Sequence, residues 1–313
     1  VHSFLCIRVD LDTERMMEKI LVLMATYNGE KFLQEQLDSL YGQEDVEVDI
    51  LVRDDGSTDS TQKILEDNSQ NHRLKWYQGD HKNVQKGFFE LMKIGVEKNY
   101  NFFAFCDQDD VWDKDKLIIA LNSIKEMQGP ALYYSGQRLV DENLKFIENH
   151  ELNSNRTLKT RFVLSDFAGC TGVFNKALID EVVKFEPKYM LMHDTWVLRV
   201  CIALGGTVVV DPKPRMNYRQ HSSNTLGLGH SFRATVRQVR QYIYDYHVEE
   251  VTKELVRGYE NQIVPEYKEV CRWICKYREN TKYKKKLLDS NNVDFCKRGL
   301  NITYWLKVKM NRL

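Results

Sequence analysis

The 313 residues suffice for one large α/β domain, or for a domain of roughly 220 residues with an appendage. Lys plus Arg and Asp plus Glu both number 45, so the chain as a whole carries no polyanion-binding signature and no nucleic-acid partner is expected. Five prolines and the lack of a Ser/Gly-rich or Pro-rich stretch exclude a long disordered linker. No run of about 18 apolar residues occurs, so no membrane-spanning helix is expected. Seven cysteines without a Cys-x-x-Cys pair argue against a disulfide framework or a zinc site, and a cytoplasmic setting is expected.

Residues 1–17 read as an N-terminal extension, too short and too poorly flanked for a signal peptide. Ile20–Ala25 is an apolar run that predicts a buried strand. Phe32, Leu33, Gln36, Leu37 and Leu40 then recur at helical spacing. Val46–Val52 predicts a second strand, followed by an acidic turn and a helix capped by Ser57 or Asp59. Leu74–Tyr77 predicts a third strand, Val84–Val96 a helix, and Asn101–Cys106 a fourth strand that runs into Asp107-Gln108-Asp109-Asp110.

The second half is less regular. Helices are predicted over Lys114–Met127, Asn175–Phe185 and His193–Leu204, and strands over Ala131–Ser135 and Thr207–Val210. Arg138–Glu148 reads as strand and turn, and Phe167–Phe174 as a Gly-rich segment. From Ser231 onward the chain reads as long helices with a break near Gly258–Pro265. Strands alternating with helices imply βαβ units, a mostly parallel sheet, and ligand binding outside the carboxyl ends of the strands. Thr26-Tyr27-Asn28, Asp54-Asp55 and Asp107-Gln108-Asp109 all fall at such ends.

Two carboxylates two residues apart after a buried strand repel each other, and a hard divalent cation such as Mg²⁺ or Mn²⁺ would relieve the conflict. The alternative is an acidic loop that caps the next helix. Asp54-Asp55-Gly56-Ser57 reads equally as a base-recognition turn or an ordinary helix-capping turn. Thr26 to Glu30 could hold a base or ribose, or simply start a helix. Gly169 and Gly172 allow close backbone approach, or mark a turn. Trp112 and Trp196 could stack on a sugar or base, with core packing as the default reading.

Ala25-Thr26-Tyr27-Asn28-Gly29-Glu30, Val52-Arg53-Asp54-Asp55-Gly56-Ser57-Thr58-Asp59 and Asp107-Gln108-Asp109-Asp110, in this order and spacing, resemble the family 2 inverting glycosyltransferases of GT-A fold. The forms of the first and third motifs resemble those of bacterial rhamnosyltransferases that build surface polysaccharide. Gly169–Asn175, His193-Asp194-Thr195-Trp196 and Tyr218–Asn224 extend the likeness, which covers about residues 18–230. It implies a glycosyltransferase domain over 18–230 and a C-terminal helical region over 231–313. It implies that Thr26, Tyr27, Glu30 and Asp55 contact the nucleoside, with Asp54 nearby, and that Asp107 and Gln108 face the ribose or nucleotide. It further implies that Asp109 holds Mg²⁺ or Mn²⁺ on the diphosphate, that His221 joins it, and that Asp194 is the catalytic base. The donor so implied is dTDP-L-rhamnose and the acceptor a saccharide or lipid-linked saccharide.

Three further readings stay open. The donor could be another UDP-, GDP- or dTDP-sugar. A sugar-1-phosphate nucleotidyltransferase would need a basic Gly-rich loop after the first strand, which Thr26–Gly29 lacks. A non-catalytic nucleotide-sugar-binding protein would be expected to have lost the metal carboxylate or the base. The C-terminal region is separate: from Cys271 to Leu313 twelve Lys/Arg face three Asp/Glu, a local charge of +9. That tail reads either as a solvated helical face or as a peripheral contact with the inner face of a membrane.

Overall fold

The computed structural model describes residues 17–80, 83–221 and 246–313. The extension up to Met16, the Ser222–Asn224 part of one motif and the first expected residues of the C-terminal helices lie outside the described residues.

Four parallel strands form the first half: β1 (Glu18–Thr26), β2 (Val46–Asp54), β3 (Leu74–Gln78) and β4 (Phe102–Cys106), in the order β3-β2-β1-β4. Helices α1 (Leu33–Tyr41), α2 (Thr61–Asn71) and α3 (Val84–Val96) connect them. Side chains alternate across the pleat. Leu21, Leu23, Phe103 and Phe105 enter one core, and Ile20, Val22, Met24, Phe102, Ala104 and Cys106 enter the other. Both faces are covered by helices, which is why β1 and β4 read as unbroken apolar runs rather than as alternating ones.

The second half contains β5 (Val111–Trp112), α4 (Lys116–Ile124), β6 (Ala131–Val140), β7 (Phe146–His150), α5 (Leu158–Val163), β8 (Val173–Asn175), α6 (Lys176–Val183), α7 (His193–Ala203) and β9 (Thr207–Arg219). It extends the sheet as β4-β8-β6-β9-β5, with β7 paired to β6. Here β8 is antiparallel to β4 and β6, whereas β9 is parallel to β6. The sequence marks only Thr207–Val210 as a strand, but β9 continues to Arg219. Pro212 and Pro214 mask it, because proline cannot donate to a ladder. The sheet accommodates them by register shifts opposite Ser135–Arg138.

Every residue of α7 is buried, so the helix has no polar face to show as a period in the sequence. Its one interior cation, Arg199, donates to the Val163 carbonyl at 3.0 Å and to the Thr252 hydroxyl at 3.1 Å. Thr252 belongs to the first described C-terminal helix, α8 (Val248–Tyr259), which is followed by α9 (Pro265–Lys276), α10 (Thr281–Leu288) and α11 (Arg298–Lys309). Leu255, Tyr259, Val270 and Ile274 from these helices join the core cluster that contains Trp196 and Phe103. The expected break near Gly258–Pro265 falls between α8 and α9, and Pro265 opens α9 at its first turn, where no backbone donor is needed. Trp112 and Trp196 are core residues, as the sequence suggested.

A core truncation and a surface truncation of the same residue type separate burial from composition. Phe103→Ala should cost about 3–5 kcal/mol in chemical denaturation. Phe146→Ala, at a 57 % exposed position, should stay within about 0.5 kcal/mol of the parent. Equal effects would contradict this placement of the core.

Candidate functional site

The parallel register brings the three polar clusters to one edge of the sheet. Thr26 lies opposite Asp54, and Met24 opposite Cys106, so the chain leaves β1, β2 and β4 at adjacent points. The segments that follow are tied to one another directly. The Asp55 N–H donates to the Thr26 carbonyl at 2.8 Å. Asn28, at a φ of 48°, donates its N–H to the Ser57 hydroxyl and accepts from the Thr58 N–H. Asn tolerates this left-handed backbone because its short polar side chain bonds locally. Gln108 accepts from the Tyr27 N–H at 2.9 Å and donates to the Tyr27 carbonyl at 3.2 Å, so its amide continues the β1–β4 ladder by one rung. Gly29 leaves room for this contact, since a Cβ there would lie 2.4 Å from the Gln108 amide oxygen and displace it.

The expected nucleoside residues occupy different depths. Asp54 is fully buried, and its carboxylate accepts from Thr26, from the amide and hydroxyl of Ser57, and from Gln62. It therefore shapes the turn. Asp55 is nearly buried and ion-pairs with Arg53, which also donates to the Asp80 carbonyl at 2.5 Å and lies 3.5 Å from Glu90. Glu30 is exposed and accepts from the Ser60 N–H just before α2. Asp59, rather than Ser57, serves the start of α2, accepting from Thr61 and from Glu30 N–H. Tyr27 is 47 % exposed at the rim.

Beyond β4 the site is acidic and enclosed. Asp107, Gln108 and Asp109 are half-buried and Asp110 is buried. Burial, then the charges of Asp109 and Asp194, push Asp107 up to about 7. Burial and the charges of Asp109 and Asp107 hold Asp110 well above the usual carboxylate range, although it accepts from the Arg219 N–H at 3.2 Å. Lys116 is buried beneath them with its ammonium 3.3 Å from the Trp112 ring, and burial pulls it down to about 8. Cys170 approaches Asp107 and Asp110, all three ligand atoms lying within 4.8 Å. Burial raises the Cys170 thiol, which keeps it a protonated, soft group.

His221 reaches this cluster because of β9. Val111 and Trp112, just after the acidic turn, pair with Asn217 and Met216, so the end of β9 emerges beside Asp109. There His221 Nε2 lies 2.8 Å from Asp109 Oδ2. Octahedral bonds of about 2.0–2.1 Å put adjacent ligand atoms roughly 3 Å apart, so this pair fits two neighbouring positions on a hard divalent ion. Arg219, two residues before His221, is buried. It donates to the Asp109 and Glu142 carbonyls, pairs with Glu35 and lies 4.4 Å from the Phe32 ring.

Asp194 is the second residue of α7, whose N-cap is Met192. One carboxylate oxygen accepts from the Gly169 N–H at 2.9 Å, the other from the Thr195 N–H at 2.5 Å. Gly169 has no room for a side chain: a Cβ would lie 2.7 Å from His193 Nε2. His193 stacks on Phe88 at 3.9 Å and is driven by burial down to about 3, a neutral core residue. Burial pushes Asp194 up to about 6, against the pull of its amide donors. Arg53, Lys116, Cys170 and Arg219 are the site residues that the expected set lacked. The signal for Arg53 was its charge directly after the apolar run Ile50-Leu51-Val52; Cys170 and Arg219 lie in the segments Gly169–Asn175 and Tyr218–Asn224 that extend the likeness, and Lys116 carried no signal.

The raised Asp194 sets a sign for stability. Its protonated form is favoured by folding, so the contribution is present below about pH 4 and is lost as pH rises through about 6. Between pH 4 and 7 the parent should lose up to about 3 kcal/mol relative to Asp194→Asn in denaturant titrations. A pH-independent difference, or one of opposite sign, would contradict this environment.

The model of glycosyl transferase family 2 matches residues 21–183. The dTDP-rhamnosyl transferase RfbG of Shigella flexneri is 31 % identical over 252 residues, covering 74 % of this chain and 82 % of that protein. Among solved structures, the mannosyltransferase PcManGT from Pyrobaculum calidifontis, in complex with GDP-Man and Mn²⁺, is 13 % identical with a TM-score of 0.58, over 94 % of this chain and 86 % of that one. S. aureus TarS 1-349, in complex with UDP-GlcNAc, is 18 % identical with a TM-score of 0.55, over 94 % and 91 %. At these identities the structures speak for the fold alone. The chain belongs to glycosyl transferase family 2, with a GT-A fold and a helical C-terminal region.

Proposed function

We propose that the chain is an inverting, metal-dependent transferase that moves L-rhamnose from dTDP-L-rhamnose to a saccharide or lipid-linked saccharide in bacterial surface-polysaccharide synthesis. The observation that carries the reading is the meeting, at one sheet edge, of the ends of β1, β2 and β4 with Asp194 of α7, which bonds to Gly169 next to the Cys170 that approaches Asp107. The rhamnosyl donor rests on the likeness to the Shigella protein. Thr26, Tyr27, Glu30, Asp54 and Asp55 form the nucleoside end, with Asp54 and Arg53 holding its shape. Asp107 and Gln108 border the ribose. Asp109 and His221 would hold Mn²⁺ or Mg²⁺, which when bound supplies Lewis-acid neutralisation of the diphosphate.

The remaining chemistry belongs to the protein. Asp194 takes the proton of the acceptor hydroxyl as that oxygen bonds to the anomeric carbon. The bond from that carbon to the diphosphate oxygen breaks, and nucleoside diphosphate departs. One displacement, with base and leaving group on opposite faces, inverts the centre. A carboxylate raised to about 6 is ionised at neutral pH and is a stronger base than an ordinary aspartate. The hydrogen bonds from Gly169 and Thr195 fix its orientation.

Asp194→Asn should bind the donor as the parent does while turnover drops by about 10²–10⁴. In the parent, kcat should decline below pH about 6. Unchanged turnover in the variant, or donor binding lost together with turnover, would reject Asp194 as the base.

A further inference from the structure

The last helix carries apolar side chains on two sides, and the fold buries only one of them. Its inward side carries Thr303, Tyr304, Lys307 and Val308, all buried. Tyr304 packs edge-on against Phe295, and Lys307 donates to the Tyr246 carbonyl at 2.6 Å. The chain end is held as well, by hydrogen bonds from Glu249 N–H to the Leu313 carbonyl and from Leu313 N–H to the Tyr277 hydroxyl. The helix is thus fixed on the core, and its outward side is a defined surface.

That outward side carries Ile302, Trp305, Leu306 and Met310, between 41 and 51 % exposed, at the three- and four-residue spacing of one helical face. They account for four of the ten large apolar side chains exposed among the described residues. Exposed Arg298 lies at the start of the helix, and Lys309 and Arg312 lie at its end. The Lys309 ammonium lies 5.1 Å from the Trp305 ring, and Lys284 of α10 bonds to the Lys309 carbonyl and the Asn311 side chain. An apolar stripe with an indole at its middle and cations at both ends suits a bilayer interface. There the ring sits at headgroup depth, the aliphatic chains enter the acyl boundary, and Lys and Arg meet anionic headgroups. A nucleic acid would engage the cations but gain nothing from Ile302, Leu306 and Met310.

We infer that this face of α11 docks the protein peripherally on an anionic membrane surface, with Trp305 inserted. The inference stands on the C-terminal helices alone and does not depend on the reading of the donor site. The test uses the full chain with vesicles of phosphatidylglycerol and phosphatidylcholine, and with pure phosphatidylcholine. Co-sedimentation should occur with the anionic vesicles and weaken with added salt. Trp305 is the one exposed indole among the described residues, so tryptophan emission should shift to the blue on binding, and this shift should vanish in Trp305→Phe. Trp305→Ser/Leu306→Ser should lower partitioning, and Arg298→Gln/Lys309→Gln should lower it by about thirtyfold. Thermal melting should be unchanged in both, because all four positions are exposed. Equal binding by parent and variants, binding indifferent to lipid charge, or sedimentation equilibrium showing that a second copy covers this face would overturn the inference.

Discussion

The architecture is governed by one constraint: three carboxylates, Asp107, Asp109 and Asp110, follow a strand buried on both faces. Like charges in a low-dielectric setting raise one another's pKa, and an uncompensated buried charge costs several kcal/mol. The surrounding fold supplies partners to two of them and a cation close to the turn. Asp110 receives a backbone N–H from Arg219, Asp109 meets His221, and Lys116 places a cation beneath the turn. Two of these three partners arrive only because β5 pairs with β9. That short pairing converts an acidic turn into a closed site, and the same Arg219 clamps the Asp109 backbone from the other side.

The C-terminal helices affect the site through α7. Arg199, midway along α7, bonds to Thr252 of α8, and Trp196 shares a core with Tyr259. Asp194 stands at the first turn of this buried helix and accepts from the Gly169 N–H, and a Cβ at Gly169 would lie 2.7 Å from His193 Nε2. The base candidate is therefore held by a rigid element braced on both sides, as a group that must meet a substrate atom requires. The outward side of the last helix lies outside this bracing, which leaves it available for a partner.

Much of the fold was legible because its signals are local. Apolar runs at β1, β2 and β4 and helical spacing over α1 and α3 depend only on neighbouring residues, and the strand-end rule then collects Thr26, Asp54 and Asp107 without any tertiary knowledge. What stayed hidden is non-local. The outer part of β9 was obscured by Pro212 and Pro214, and with it the route by which His221 reaches Asp109. Nothing in the sequence marks Lys116 or Arg219 as buried, and only the packing reveals it. Asp54 reads as a ligand contact yet spends its carboxylate on Thr26, Ser57 and Gln62. Residue type showed where the chemistry concentrates; hydrogen bonding distinguished the groups that face the cleft from those that build it.

The most direct test of the donor-site account is thermal melting of the full chain with dTDP-L-rhamnose, UDP-GlcNAc and GDP-mannose, each with Mn²⁺ or with chelator. The account predicts that dTDP-L-rhamnose with Mn²⁺ raises the melting temperature, by an increment worth about 2.7 kcal/mol at a hundredfold excess over Kd. The increment should disappear with chelator and in Asp109→Asn. Stabilisation by the nucleotide sugar that is identical with and without metal, and identical in Asp109→Asn, would contradict it.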